Sequence, residues 1–141
     1  MRVRFAVPAE VAFDYLAEPR NRTEWQSSLK AVEVLDEGPP RVGQRWYDVT
    51  RPGLRPLMEL AEVRRAESWT ERGTWRGFGA ELTLDFEPDR DGCLVTARFR
   101  ITGPSVLSSL ATGAARFAVR SDLRRAARLL AGDAGHPPTQ R

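Results

Sequence analysis

One order of elements constrains this chain more than anything else in it. A strand runs into a proline-opened helix, a succession of strands follows, and a single long helical pattern closes the sequence. In residues 2–7, Val3, Phe5 and Val7 alternate with Arg2, Arg4 and Ala6, the period-two signature of a half-buried strand. Pro8 suits the first turn of a helix, where its missing N–H costs nothing. Val11, Tyr15 and Leu16 give that helix an apolar face, and Pro19 opens a second short turn ending near Trp25. Strands are predicted over 29–35 and 44–51, joined across Gly38-Pro39-Pro40, and then over 57–65, 68–76 and 80–87, with Gly77-Phe78-Gly79 as the turn between the last two.

The turn Pro88-Asp89-Arg90-Asp91-Gly92 leads into the clearest strand, 93–102. Cys93, Val95, Ala97, Phe99 and Ile101 share one side of it, and Leu82, Leu84 and Phe86 share the same buried face across the hairpin. Glu81, Thr83 and Asp85 then lie opposite Arg98 and its neighbours as a solvated face, with exposed ion pairs worth at most ~1 kcal/mol. Pro104 starts the last element and Gly132 stops it. Leu107, Leu110, Ala111, Ala114, Phe117 and Ala118 form one helical stripe, but Val119, Leu123, Ala126, Ala127 and Leu130 lie more than about 100° round from it. The pattern therefore predicts a bend or break near Gly113, or two halves that bury different faces. Residues 1–131 read as one domain and 132–141 as a disordered tail.

Composition removes several function classes. At 141 residues, with 41% hydrophobic and 29% charged, the chain reads as one globular domain. No run approaches the ~18 apolar residues of a membrane span, and no signal-peptide core opens the sequence. The single Cys93 allows no intramolecular disulfide, which points to the cytoplasm. The pI of 9.7 accompanies a net charge of only +3, and the basic residues, nearly all arginine, are spread along the chain, so nucleic acid is not an expected partner. The only histidine, His136, falls in the tail, which argues against a histidine-activated nucleophile. One His and one Cys make no ordinary transition-metal site, and no phosphate- or dinucleotide-binding loop is present. Neither cofactor nor metal is expected.

The motifs Val7-Pro8-Ala9-Glu10-Val11, Asn21-Arg22-Thr23-Glu24-Trp25, Val42-Gly43-Gln44-Arg45-Trp46, Phe86-Glu87-Pro88 with Gly92, and Asp122-Leu123 occur in an order that resembles the helix-grip fold of the START-like (SRPBCC) superfamily. More narrowly, the chain is similar to its polyketide cyclase/dehydrase branch over residues 2–131. Cys93 departs from the pattern, where relatives often carry threonine. The resemblance implies an α+β fold: a seven-stranded antiparallel sheet curved around the C-terminal helix, two short helices after the first strand, and an apolar cavity between sheet and long helix. It also implies a hydrophobic ligand such as a lipid or polyketide, with no stable membrane insertion, in a monomer or homodimer. Some members are aromatases or cyclases, so fold analogy alone does not separate carrier from enzyme.

The candidate ligand-binding residues are Trp46, Met58, Glu59, Trp69, Trp75, Leu84, Phe86, Val95, Phe99, Leu107 and Ala111. Glu71 and Tyr47 are the candidate acid–base groups. Glu71 shares a strand side with Trp69, Gly73 and Trp75; facing the cavity, its carboxyl has its charged form disfavoured by desolvation and suits proton transfer. The competing reading has Glu71 solvated at an open sheet end, or paired with an arginine. Glu59 has two parities open, one with Met58 and Leu60 inside and one with Leu57, Ala61 and Val63 inside. Tyr47 and Arg45 carry the same ambiguity against Trp46. The tryptophans either line a pocket or fill it. Three functions follow: a binding protein for a hydrophobic small molecule, a cofactor-independent aromatase/cyclase, or an interaction module with a collapsed cavity. A small-molecule site needs ~300 Å3 or more.

Overall fold

Alternation of apolar and polar residues sets seven strands, and their pairing sets one sheet. The computed structural model describes the backbone of residues 1–103 and 105–134 and the side chains of 1–103 and 116–132. The elements run β1 (Arg2–Phe5), α1 (Ala9–Ala17), a 3-10 turn (Pro19–Asn21), α2 (Arg22–Trp25), β2 (Leu29–Val34), β3 (Arg45–Thr50), β4 (Leu57–Arg64), β5 (Ser68–Trp75), β6 (Phe78–Asp89), β7 (Gly92–Thr102) and α3 (Ser105–Ala134). The sheet order is β1-β7-β6-β5-β4-β3-β2, and every pairing is antiparallel. This is the α+β helix-grip arrangement. Consecutive strands from β2 to β7 are neighbours, and the chain's first strand closes onto its last.

The inner face collects Val3, Phe5, Trp46, Met58, Leu60, Trp69, Leu82, Leu84, Phe86, Cys93, Val95 and Ala97, all buried. The outer face carries the ion pairs that alternation predicts, Arg72 and Arg100 with Glu81 and Arg98 with Asp85. Two turns differ from expectation. β6 begins at Phe78, paired with Trp75, so the loop is Arg76-Gly77 alone, with both residues at positive φ. Pro88 pairs with Cys93 inside the β6–β7 hairpin, whose loop contracts to Arg90-Asp91. In β4 a register shift between Leu60 and Glu62 lets Met58 and Leu60 point inward and Val63 still pack on the core. A bulge of this kind lets one strand use both parities.

The helices correct two further expectations. α1 buries Ala9, Ala12, Phe13, Leu16 and Ala17, while Val11 is 45% exposed. Alanines at i and i+3 let the helix approach closely, and Phe13 meets Phe86 edge-on at 5.4 Å. α3 runs unbroken past Gly132 to Ala134, so neither a break near Gly113 nor a stop at Gly132 is present; the alternative expectation, two halves that bury different faces, rests on side chains outside the described residues. The helix packs on β1, β7 and α2, burying Leu123, Ala126 and Leu130. Phe117, expected inside, is 78% exposed. The faces of Leu107, Leu110, Ala111 and Ala114, the serines 105, 108 and 109, and the expected tail over 135–141 with His136 lie outside the described residues. Arg116, Arg120, Arg124 and Arg128 follow one another at four-residue spacing on the solvent side of α3. No helix among the described residues is long and apolar enough to cross a membrane.

Gly92 is the tightest point of the sheet edge. A Cβ there would overlap the carbonyl oxygen of Phe5 on β1 and crowd Arg4. Gly92→Ala is expected to cost about 1–3 kcal/mol, as for other overpacked sites. Gly132→Ala, with open space around it, is expected to stabilise by up to ~1 kcal/mol through helix propensity. Urea unfolding of both variants checks the pair; a Gly92→Ala protein as stable as the parent would contradict the close approach of β1.

Candidate functional site

Three elements bring charge into the core at one place. Arg22 opens the four-residue α2 and Trp25 sits one turn later, so both side chains point from the short helix to the sheet; Arg22 is only 2% exposed. Asp48 shares the inner side of β3 with Trp46. Glu71 shares the inner side of β5 with Trp69. The Arg22 guanidinium donates from Nε and Nη2 to the Asp48 oxygens, at 3.0 Å each. It donates from Nη1 and Nη2 to the Glu71 oxygens at 2.6 and 3.1 Å. The Trp46 indole N–H donates to Asp48 Oδ1 at 3.0 Å, and the guanidinium lies 5.2 Å from the Trp46 ring centroid.

Two carboxylates thus share one cation in a site almost wholly withdrawn from solvent. Burial works against the Arg22 charge, but Asp48 and Glu71 outweigh it and raise its pKa. Burial dominates at Glu71 and raises its pKa despite Arg22, with Asp48 pushing in the same direction. On α3, Asp122 is likewise raised by burial, partly offset where Oδ1 accepts from the Ser27 N–H and hydroxyl at 3.3 and 3.2 Å. Cys93 is buried and its thiol pKa is raised by desolvation, which suits a packing residue and not a nucleophile.

Beside this cluster lies a cavity of about 230 Å3. Its origin is two small residues paired across adjacent strands, Gly73 with Ala80, next to Met58 on the far side of the glycine. Where a larger side chain would fill the interior, only the Met58 sulfur leans over the glycine. Trp25, Leu29, Leu82, Phe99 and Val119 complete the apolar wall; Arg22, Asp48, Glu71, Gln26 and Asp122 make the polar part. The volume falls just short of the ~300 Å3 usual for ligand sites, so the cavity suits a small ligand. A larger groove of about 680 Å3 lies on the surface between β7 and α3, lined by Met1, Phe99, Phe117, Arg116 and Arg120. It contains none of the buried polar groups, so the inner cavity is the better candidate site. Phe99 borders both.

Of the residues singled out from sequence, Met58, Glu71 and Phe99 line the cavity. Glu71 faces inward and is paired with an arginine. Trp46 and Trp69, each 1% exposed, fill the core, as do Leu84, Phe86 and Val95. Trp75 is half-buried at the β5–β6 hairpin end, with Arg76 stacked 5.1 Å from its ring. Tyr47 and Glu59 do not reach the site. Tyr47 lies on the outer face with Arg55 5.0 Å from its ring, and Glu59 is exposed opposite Arg45. Leu107 and Ala111 lie outside the described side chains. Sequence reasoning missed Arg22, Asp48 and Asp122 as site residues. The available signals were the i, i+3 spacing of Arg22 to Trp25 and the shared parity of Asp48 with Trp46.

A family model described as polyketide cyclase / dehydrase and lipid transport matches residues 1–135. No curated protein matches the chain. Among solved structures, protein MLL2253 from Mesorhizobium loti is 17% identical with a TM-score of 0.78, covering 97% of each chain. XoxI from Bacillus cereus is 10% identical with a TM-score of 0.78, covering 96% of each chain. DynU16, from the dynemicin biosynthetic locus, is 14% identical with a TM-score of 0.67 over 92% of this chain and 45% of its own. At these identities the structural likeness is one of fold.

Two outcomes follow from the cluster. Arg22→Met leaves two buried carboxylates without their cation and is expected to destabilise by about 3–5 kcal/mol in urea titrations. Glu71 holds its proton more tightly when folded, so its contribution is fully present below the usual glutamate value of 4.5 and is lost as pH rises through the higher folded value. Stability should therefore decline as pH rises from 4.5 to the higher folded value and level off beyond it. Glu71→Gln should flatten the decline, leaving the part of the same sign from Asp122; equal slopes in urea midpoints for parent and variant would refute the assignment.

Proposed function

The chain belongs to the polyketide cyclase/dehydrase and lipid transport family, and from that membership we propose that it is a cytoplasmic binding protein for a small hydrophobic molecule held between the sheet and α3. The observation that carries the reading is the cavity beside the Met58–Gly73–Ala80 row, apolar along most of its wall and polar at the Arg22 cluster. Pockets of this composition, apolar with a few fixed polar groups, are the usual form of a small-molecule site. The polyketide and lipid chemistry in the family's description is hydrophobic in the same sense.

Binding is favoured over catalysis by what Glu71 does. Both its oxygens accept hydrogen bonds from Arg22, so moving a proton to a substrate would require breaking a buried charge network. Tyr47, the other acid–base candidate, faces outward. The same network holds α2 against β3 and β5, and that is a positioning role.

Ala80 has the inward parity of Leu82 and Leu84 and borders the cavity. Ala80→Phe should fill the space without touching the charged cluster. Titration with N-phenyl-1-naphthylamine, neutral at pH 7, is expected to show saturable fluorescence enhancement in the parent and at least about a tenfold weaker response in Ala80→Phe, as a lost apolar contact surface of one ring implies. Native mass spectrometry of protein from its own host then gives the mass of any retained molecule. A folded parent that neither enhances the probe nor retains a ligand would sink the proposal.

A further inference from the structure

The charges on the cavity do not balance. One guanidinium, that of Arg22, faces three carboxyl groups, those of Asp48, Glu71 and Asp122. Arg22 directs four hydrogen bonds to Asp48 and Glu71. Asp122, nine-tenths buried, accepts through Oδ1 from Ser27, and among the described residues its Oδ2 accepts no hydrogen bond. While any one of these acids is ionised the cavity lining holds no surplus positive charge, and Arg125, whose charge acts on Asp122, is exposed and lies outside that lining. An anionic head group entering it would meet carboxyl oxygens and a cation already shared between two of them.

A second observation stands apart from the acids. Trp25 borders the same cavity, and its buried indole N–H has no acceptor among the described residues. Buried donors left unpaired cost of the order of 1–3 kcal/mol, which a ligand oxygen seated against Trp25 would remove.

We propose that the cavity selects a small lipophilic amine: an ammonium nitrogen paired with Asp122 and the Glu71 side of the cluster, an apolar body against Met58, Leu82 and Phe99, and any oxygen of the ligand available to Trp25. The inference rests on the reading of this cavity as a ligand site and adds its selectivity. Aliphatic carboxylates, the ionised form of fatty acids, are excluded by the same charges.

The test uses the full chain at pH 7 and three ligands of equal length, octylamine, octan-1-ol and octanoate, each displacing N-phenyl-1-naphthylamine below its micellar concentration. Octylamine is expected to bind at least about tenfold more tightly than octanoate, with octanol between, because a hydrogen bond to a charged group is worth roughly that factor or more. Asp122→Asn keeps the acceptor for Ser27 and should bring octylamine to within about threefold of octanol, the same magnitude of effect in reverse. Octanoate binding as well as octylamine overturns the proposal and leaves the binding-protein reading intact. An amine preference that persists in Ala80→Phe, or is unchanged in both Asp122→Asn and Glu71→Gln, lies outside this cavity and also overturns it. Failure of the neutral probe and octanol to bind folded protein overturns the underlying reading itself.

Discussion

The guanidinium of Arg22 is the point on which the interior is organised. It ties the four-residue α2 to two strands that are not neighbours, β3 and β5, with β4 running between them. A helix of one turn has almost no stability of its own, so its position is set by what its side chains reach. Arg22 reaches Asp48 and Glu71, and Trp25 packs beside it in the core. Removing two carboxylates and a cation from water is expensive, and the geometry offsets this with four short hydrogen bonds and the face of Trp46. Such a cluster contributes less to net stability than to a single defined placement of α2.

That placement decides where empty space remains. The large tryptophans Trp46 and Trp69 are consumed by packing, one over the cation and one deep in β5. The space lies where the sheet supplies a glycine and an alanine at paired positions, beneath Phe99 and the inner stripe of α3. Cavity and cluster therefore have one cause. α2 is held at the distance its salt bridges dictate, and the small residues leave the gap unfilled.

The strands, their order and the long closing helix were legible in the sequence because each depends on a local period that survives without tertiary information. The inward parity of Glu71 was legible for the same reason. The parity of β4 was not, since a bulge between Leu60 and Glu62 switches it within the strand. Tyr47 and Asp48 are adjacent polar residues on one strand, and only the parity of Asp48 with Trp46 pointed to the second; in the structure the two share the inner side and the Trp46 indole bonds to Asp48. On α1 Leu16 is buried and Tyr15 packs on the core as expected, but Val11 is exposed because the helix docks through alanines, whose small size is informative only beside a partner surface. Arg22 was hidden by the ordinary expectation that arginine is exposed.

The row of arginines on α3 has a consequence for the solvent around the protein. Arg116, Arg120, Arg124 and Arg128 are exposed, and among the described residues none forms an ion pair. Like charges four apart on a helix repel by roughly 0.2–0.5 kcal/mol per pair, and dissolved ions screen that repulsion over about 8–10 Å. The helix that closes the cavity is thus held by its inner stripe against its own outer field. Ionic strength, which weakens most surface electrostatics in this fold, tightens this element.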